Sequence, residues 1–297
     1  MAERGESLRL ECIRGVTSCV PDLDAIEAAY GRWLGYRMLE RGVVPAETAR
    51  AWGASAVAGA PYVTLGPLSG EETYLRFVED KRAGGWRALT TFGWNVAEFV
   101  VQDVEALAST FGGSPFRVIG PPSSLQRFPM IRAMQVLGPA GECLYFTQVG
   151  PGSGLDLAAA QSFVGRVFIV VAGGPDLDAM FGAYQRFRND VDPPVSTRVR
   201  VISLLNRLPE DTQYAHGLVK LGCGTLIELD QYPAQARHRA CVRDRLPPGM
   251  AMVSFATSGG GRDAAVEWSV PALFPGMRAA AVTIRGATGE LIELMAG

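Results

Sequence analysis

Pro21-Asp22-Leu23-Asp24-Ala25 returns in the second half of the chain as Pro175-Asp176-Leu177-Asp178-Ala179. The match runs on into the residues that follow, with Ala29, Tyr30 and Arg32 set against Ala183, Tyr184 and Arg186. Near the end of each half a second pair appears, Gly138-Pro139-Ala140-Gly141-Glu142 against Gly286-Ala287-Thr288-Gly289-Glu290. Two repeats at similar spacing indicate duplicated halves.

A fainter copy lies inside the first half, where Val20-Pro21-Asp22-Leu23-Asp24-Ala25 resembles Val101-Gln102-Asp103-Val104-Glu105-Ala106. Each follows an apolar run and opens a helical pattern. Asp22 and Asp103 are expected to be N-caps, because a short carboxylate accepts from the free amides of a first turn. The first helix carries Ile26, Ala29, Tyr30, Trp33 and Leu34 on one face and stops at Gly35; the second carries Val104, Leu107 and Phe111 and stops at Gly112-Gly113. Short strand-like runs follow: Tyr62–Leu65 and Thr73–Glu79 after the first helix, Phe116–Ile119, Ile131–Leu137 and Cys143–Val149 after the second. Strand, helix and further strands make a βαβββ unit. Two units fill residues 1–152, the stretch Gly150 to Gly154 reads as a linker, and two more fill 153–297, one from about Phe163 to Tyr232 and a divergent one from about Met250.

The opening Val20-Pro21-Asp22-Leu23-Asp24, with its helix ending in Trp33-Leu34-Gly35-Tyr36, resembles the start of a vicinal oxygen chelate module, the superfamily of glyoxalase, bleomycin-resistance and extradiol dioxygenase proteins. Gly141-Glu142-Cys143-Leu144-Tyr145-Phe146 and Gly289-Glu290-Leu291-Ile292-Glu293-Leu294 resemble its closing hairpin and strand. The resemblance implies an α+β fold of tandem βαβββ modules forming two half-open barrel domains, 1–152 and 153–297. In that family a divalent metal sits on four strand positions inside the barrel. Here those positions in the first domain hold Gly15, Arg76, Val96 and Tyr145. Glycine and valine offer no donor atom and a guanidinium repels a cation, so no metal is expected there. In the second domain Glu228 and Glu293 stand at the carboxylate positions, while the histidine positions fall near Arg166 to Ile169 and Met252 to Ser254. A residual metal site from Glu228, Glu293 and His216 is a minor alternative. The sequence has only two histidines, and His216 shares a strand face with Leu218 and Lys220, where a solvated side chain is the commoner role.

Residues two apart on a strand share a face. If Arg76, Val96 and Tyr145 face the cavity, Thr17, Tyr74, Trp94 and Glu98 join them. Arg76 and Glu98 are then expected to pair with one another or with a ligand, since a buried charge needs a partner. A structural salt bridge is the commoner role of such a pair, and core packing that of Tyr145. Trp52, in an Ala- and Gly-rich insertion from Pro45 to Ala60, reads equally as a pocket lid or a core anchor. Of Arg132 and Gln135, strand parity lets only one point inward.

The functional expectation is a metal-independent enzyme of lyase, isomerase or hydrolase type acting on a small aromatic or carbonyl-bearing molecule. Glu98 would be the acid/base group, Arg76 and Tyr145 the oxyanion partners, and Trp94, Tyr74, Trp52, Thr17, Arg132 and Gln135 the substrate-binding lining. The alternative from another class is a binding or sequestration protein like those conferring bleomycin resistance. No nucleotide-binding or metalloprotease motif is present, and no cofactor is implied. The chain has 297 residues, 48% of them hydrophobic and 20% charged, with a net charge of −2, which is ordinary for a globular protein and gives no basic stripe for nucleic acid. No apolar run suits a membrane. Five cysteines without a CxxC pair point to reduced thiols in a cytoplasmic protein, with a homodimer as a further expectation.

Overall fold

The computed structural model describes residues 8–153, 156–187, 189–259, 268, 270–277 and 279–296. Gly154 of the expected linker lies outside the described residues. The first module comprises β1 (Arg9–Val20), α1 (Leu23–Leu34), β2 (Arg37–Val43), β3 (Pro61–Gly66) and β4 (Tyr74–Glu79), with α2 (Ala46–Ala51) inside its insertion. The second comprises β5 (Gly93–Val101), α3 (Val104–Thr110), β6 (Arg117–Ser124), β7 (Ile131–Leu137) and β8 (Cys143–Val149). The third comprises β9 (Val164–Gly174), α4 (Leu177–Tyr184), β10 (Val195–Arg198), α5 (Arg200–Asn206), β11 (Gln213–Lys220) and β12 (Leu226–Gln231). The fourth comprises β13 (Gly249–Ser258), β14 (Val270–Pro271), β15 (Ala280–Arg285) and β16 (Leu291–Ala296).

The repeated Asp-Leu/Val motif has one physical cause. Asp22, Asp103 and Asp176 each sit in extended backbone ahead of a helix and accept from the amides of Ala25, Ala106 and Ala179, at 2.9, 2.9 and 3.0 Å. Helix α1 ends at Gly35, whose φ of 68° is the left-handed conformation that closes a helix cheaply.

The strands form two eight-stranded curled sheets, in the orders β14-β15-β16-β13-β1-β4-β3-β2 and β10-β11-β12-β9-β5-β8-β7-β6. At each centre two modules meet through antiparallel first strands, β1 with β13 and β5 with β9. The first sheet therefore joins the first and fourth modules, the second sheet the second and third. The sequence reading put the first two modules around one cavity, and the pairing differs. Modules two and three, adjacent in the chain, pair directly; the free edges of β1 and β13 are left for each other.

Between the sheets, on the side of α1, α3 and α4, lies a common core that includes Tyr30, Phe77, Trp94, Phe99, Phe146, Val170 and Phe255. All nine residues of β5 are buried, as expected for a central strand covered on both faces. The inner faces carry separate clusters. Trp52, Val57 and Met252 belong to that of the first sheet; Val96, Cys143, Ile169, Val171 and Ile202 belong to that of the second. Cys12 and Cys223 form a disulfide across Cα atoms 5.7 Å apart, which corrects the reading of five reduced thiols. Spacing could not show it, because the two cysteines come from different sheets.

Candidate functional site

The inner face of the first sheet is closed. Arg76, on β4, is fully buried and paired with Glu293 on β16, Nη2 to Oε2 at 3.2 Å. Its Nε donates to Thr17 Oγ1 at 3.0 Å and its Nη1 to the carbonyl of Leu273 at 2.9 Å. Glu293 in turn accepts from Trp52 Nε1 at 2.9 Å and from Ser254 Oγ at 2.5 Å. The guanidinium lies over the ring of Trp52 (4.5 Å) and over Phe274 (4.3 Å), and Phe274 stacks on Tyr74. Burial lowers the Arg76 pKa while Glu293 opposes that shift. Gly15 is occupied in effect by Phe274, because a Cβ there would fall 2.3 Å from Cζ of that ring. Each of the three guanidinium nitrogens has an acceptor and aromatic rings flank the group, while the buried Thr64 Oγ1, opposite Arg76 on β3, has no hydrogen-bond partner among the described residues.

These contacts revise several expectations. Thr17, Tyr74, Arg76 and Trp52 do come together, but Arg76 pairs with Glu293 and not with Glu98, which belongs to the other sheet. Trp52 is a core anchor, 1% exposed. Trp94 points into the inter-sheet core, where Nε1 donates to the carbonyl of Leu291 at 2.7 Å and the ring packs on Phe255. Strand parity fails for it because β5 shifts register between Trp94 and Val96. Arg132 lies on the outer side, bonded to Glu105 and, at 3.3 Å, to Ser124 Oγ.

The inner face of the second sheet is polar and half open. Glu98 on β5 is 8% exposed and accepts from Thr147 Oγ1 on β8 at 2.6 Å. Burial, reinforced by the charge of Glu228 and opposed by the Thr147 bond, pushes its carboxyl up to about 8. Tyr145 is the register partner of Glu98 on β8 and is half-buried, and burial holds its phenol well above the usual range. Gln135 is the partner of Tyr145 on β7; Gly120 leaves room for its side chain, since a Cβ there would fall 2.0 Å from Gln135 Oε1. Of Arg132 and Gln135, the second is the inward one.

Across β9, strand β12 adds Glu228 and Asp230, and β11 adds His216. His216 Nδ1 lies 3.7 Å from Glu228 Oε1, and that carboxylate raises the imidazole pKa against the effect of burial. Asp230 is pushed well above the usual carboxyl range, first by burial and then by Glu228. Asp230, Tyr232, Thr147, Ser254 and Phe274 were missed in the sequence. The first two were within reach, because Asp230 and Tyr232 follow Glu228 at intervals of two along one strand direction. Phe274 and Ser254 carry no local signal.

The four positions that hold the superfamily's ion do not fit one on either sheet. On the first, Arg76 has taken Glu293 and Phe274 covers Gly15. On the second, Val96 and Ile169 are apolar and only Glu228 is a carboxylate. A separate surface groove of about 400 Å³, at the end of α1 beside the start of β9, is lined by Arg32, Trp33, Leu68, Thr110 and Phe163 among others, and its lining holds no carboxylate or imidazole.

No protein-family model matches the sequence, and no curated protein sequence matches it. Solved structures do match its fold. Glyoxalase I from Zea mays aligns with a TM-score of 0.64 at 14% identity, over 98% of this chain and 93% of that one. A putative dioxygenase from Bacillus subtilis aligns with a TM-score of 0.62 at 12% identity, over 97% of this chain and 86% of that one. The chain therefore shares with these structures the fold of two curled sheets built from paired βαβββ modules. Among the described residues no helix is long and apolar enough to cross a membrane.

Proposed function

We propose that the chain is an enzyme performing proton transfer on a small carbonyl-bearing or aromatic molecule at the inner face of the second sheet. The observation that carries this reading is the contrast between the two inner faces. The first is a sealed, buried ion pair; the second is half open and gathers Glu98, Tyr145, Gln135, Glu228 and His216. Glu98 is the acid/base group. It is hydrogen-bonded to a neutral hydroxyl, so it can both hold and release a proton near neutrality. Tyr145 beside it donates to an oxygen on which negative charge develops. Arg76 has no part in the reaction, and neither do Trp94 or Arg132.

The test is loss of an α-proton to solvent deuterium, followed by proton NMR over a panel of aromatic ketones, aldehydes and carboxylic acids. Exchange should be catalysed by the wild type and lost in Glu98→Gln, with ligand affinity kept. Exchange at the wild-type rate in Glu98→Gln would remove Glu98 from the chemistry. Ligand binding on this face without exchange would favour the sequestration reading.

A further inference from the structure

We propose that His216, Glu228 and Asp230 form a binding site for a first-row divalent transition metal ion on the inner face of the second sheet. The ligand atoms of the three residues all lie within 4.8 Å of one another. Strand geometry sets this arrangement. His216 is the register partner of Asp230 across the β11–β12 hairpin, and Glu228 precedes Asp230 by two on the same strand, so all three project to one face. An ion bound at roughly 2.0–2.2 Å from each donor needs those donors about 3–4.4 Å apart, which small side-chain rotations supply.

The second observation is independent of the triad. Tyr232 is 4% exposed, and its hydroxyl has no hydrogen-bond partner among the described residues. Its ring lies against Gly173, where a Cβ would fall 2.3 Å from the ring, and Gly173 is the register partner of Asp230 on β9. The phenol therefore sits over the same patch, within the electrostatic influence of Asp230 and Glu228. Asp230, 2% exposed, leaves Oδ1 unpartnered, and neither nitrogen of His216 has a hydrogen-bond partner. Buried polar atoms without partners cost roughly 1–3 kcal/mol each, so the Tyr232 hydroxyl and Asp230 Oδ1, left unpaired on the patch that holds the His216 ring, call for a bound group.

That group is a cation. Two carboxylates at close range repel, and the nearby Arg239 is engaged by the carbonyls of Pro248, Met250 and Trp94. One imidazole nitrogen with two carboxylates suits Zn(II), Mn(II) or Fe(II), whereas Mg(II) and Ca(II) favour all-oxygen shells. The set shares only Glu228 with the superfamily's positions and is displaced toward the sheet edge. It also replaces the sequence-based trio of Glu228, Glu293 and His216, because Glu293 lies in the other sheet. The site stands or falls independently of the acid/base role of Glu98.

Tag-free, EDTA-stripped protein titrated with ZnCl2 in a calorimeter should bind one ion, at least tenfold more weakly in Asp230→Asn and in His216→Gln. The chain has only two histidines, so the imidazole nitrogen NMR spectrum holds two ring systems, and His238→Gln assigns them. Zinc should shift the His216 ring and leave that of His238 in place. This measurement uses the wild-type fold, so it decides the matter even if Asp230→Asn fails to fold. Absence of saturable zinc binding, as expected if Asp230 and Glu228 merely share a proton, would overturn the proposal. So would an unmoved His216 ring.

Discussion

Tyr30 Oη donates a 2.8 Å hydrogen bond to Glu142 Oε1 across the interface between the two sheets, joining α1 of the first module to the β7–β8 turn of the second. Tyr184 and Glu290 repeat the pairing at 3.4 Å between the third and fourth modules. The same relationship explains the Gly-x-x-Gly-Glu repeat. Glu142 Oε2 also accepts from the Ala140 amide at 2.8 Å, as Glu290 Oε2 does from Thr288 at 2.8 Å. The folded-back carboxylate leaves no space for a Cβ at Gly138 or Gly286, and Gly141 and Gly289 have φ of 82° and 87°. The repeat is a buried clasp between sheets, made twice.

Tyr30→Phe leaves the Glu142 carboxyl buried without its cross-sheet donor, so it should destabilise the fold by about 1–3 kcal/mol. Tyr184→Phe should cost less, because its bond is longer and Thr288 Oγ1 still donates to Glu290 at 2.6 Å. Urea denaturation of the two variants gives the comparison, and equal losses would count against the clasp as the cause.

Burial pushes Glu142 from its ordinary 4.5 up to about 7, against the bonds from Tyr30 and the backbone. A raised carboxyl pKa means that the unfolded chain releases this proton first. Stability from this group is therefore complete below pH about 4.5 and is lost as pH rises toward about 7, with no further change above. The difference in stability between wild type and Glu142→Gln, measured by urea melts from pH 4 to 8, should move in the variant's favour across that window. A difference independent of pH would show that the folded-state carboxyl is not perturbed.

Three of the four modules were legible because each opens a helix with its own Asp cap, at Asp22, Asp103 and Asp176. That Glu98 and Tyr145 share a sheet face was legible by strand parity. Trp94 was not, because Asn95 turns its side chain onto the Leu89 amide and the Thr91 and Gly93 carbonyls, and β5 bulges there. The partner of Arg76 was illegible for a different reason. Glu293 reaches it only because the first and fourth modules share a sheet, a pairing that no local pattern encodes. Likewise, only register sets His216 opposite Asp230, a placement with no local signal in the sequence.

Gly15 is held by Phe274. Its ring is stacked on Tyr74 at 5.5 Å and lies over the Arg76 guanidinium, so it cannot yield to a new methyl group. Gly15→Ala should cost about 1–3 kcal/mol by overpacking. Phe274→Leu should recover part of that loss in the double variant, read as a positive coupling in thermal denaturation. Additive losses would mean that the glycine serves the backbone instead.

Arg76 and Glu293 form the one ion pair of the described residues with both side chains essentially out of water, at 0% and 2% exposure. Arg76→Met removes the cation and strands a carboxylate that keeps only the donors of Trp52 and Ser254. A loss of about 3–5 kcal/mol is expected, since an uncompensated buried charge is far costlier than the pair itself is stabilising. Adding Glu293→Gln removes the charge while leaving an oxygen for Trp52 and Ser254, so the double variant should be more stable than Arg76→Met alone. The same double variant, once folded, should retain any proton exchange seen with wild type, because the reacting face belongs to the other sheet. Exchange lost in the folded double variant would relocate the chemistry to the sealed face, and a double variant no more stable than Arg76→Met would show that the pair is not the source of the cost.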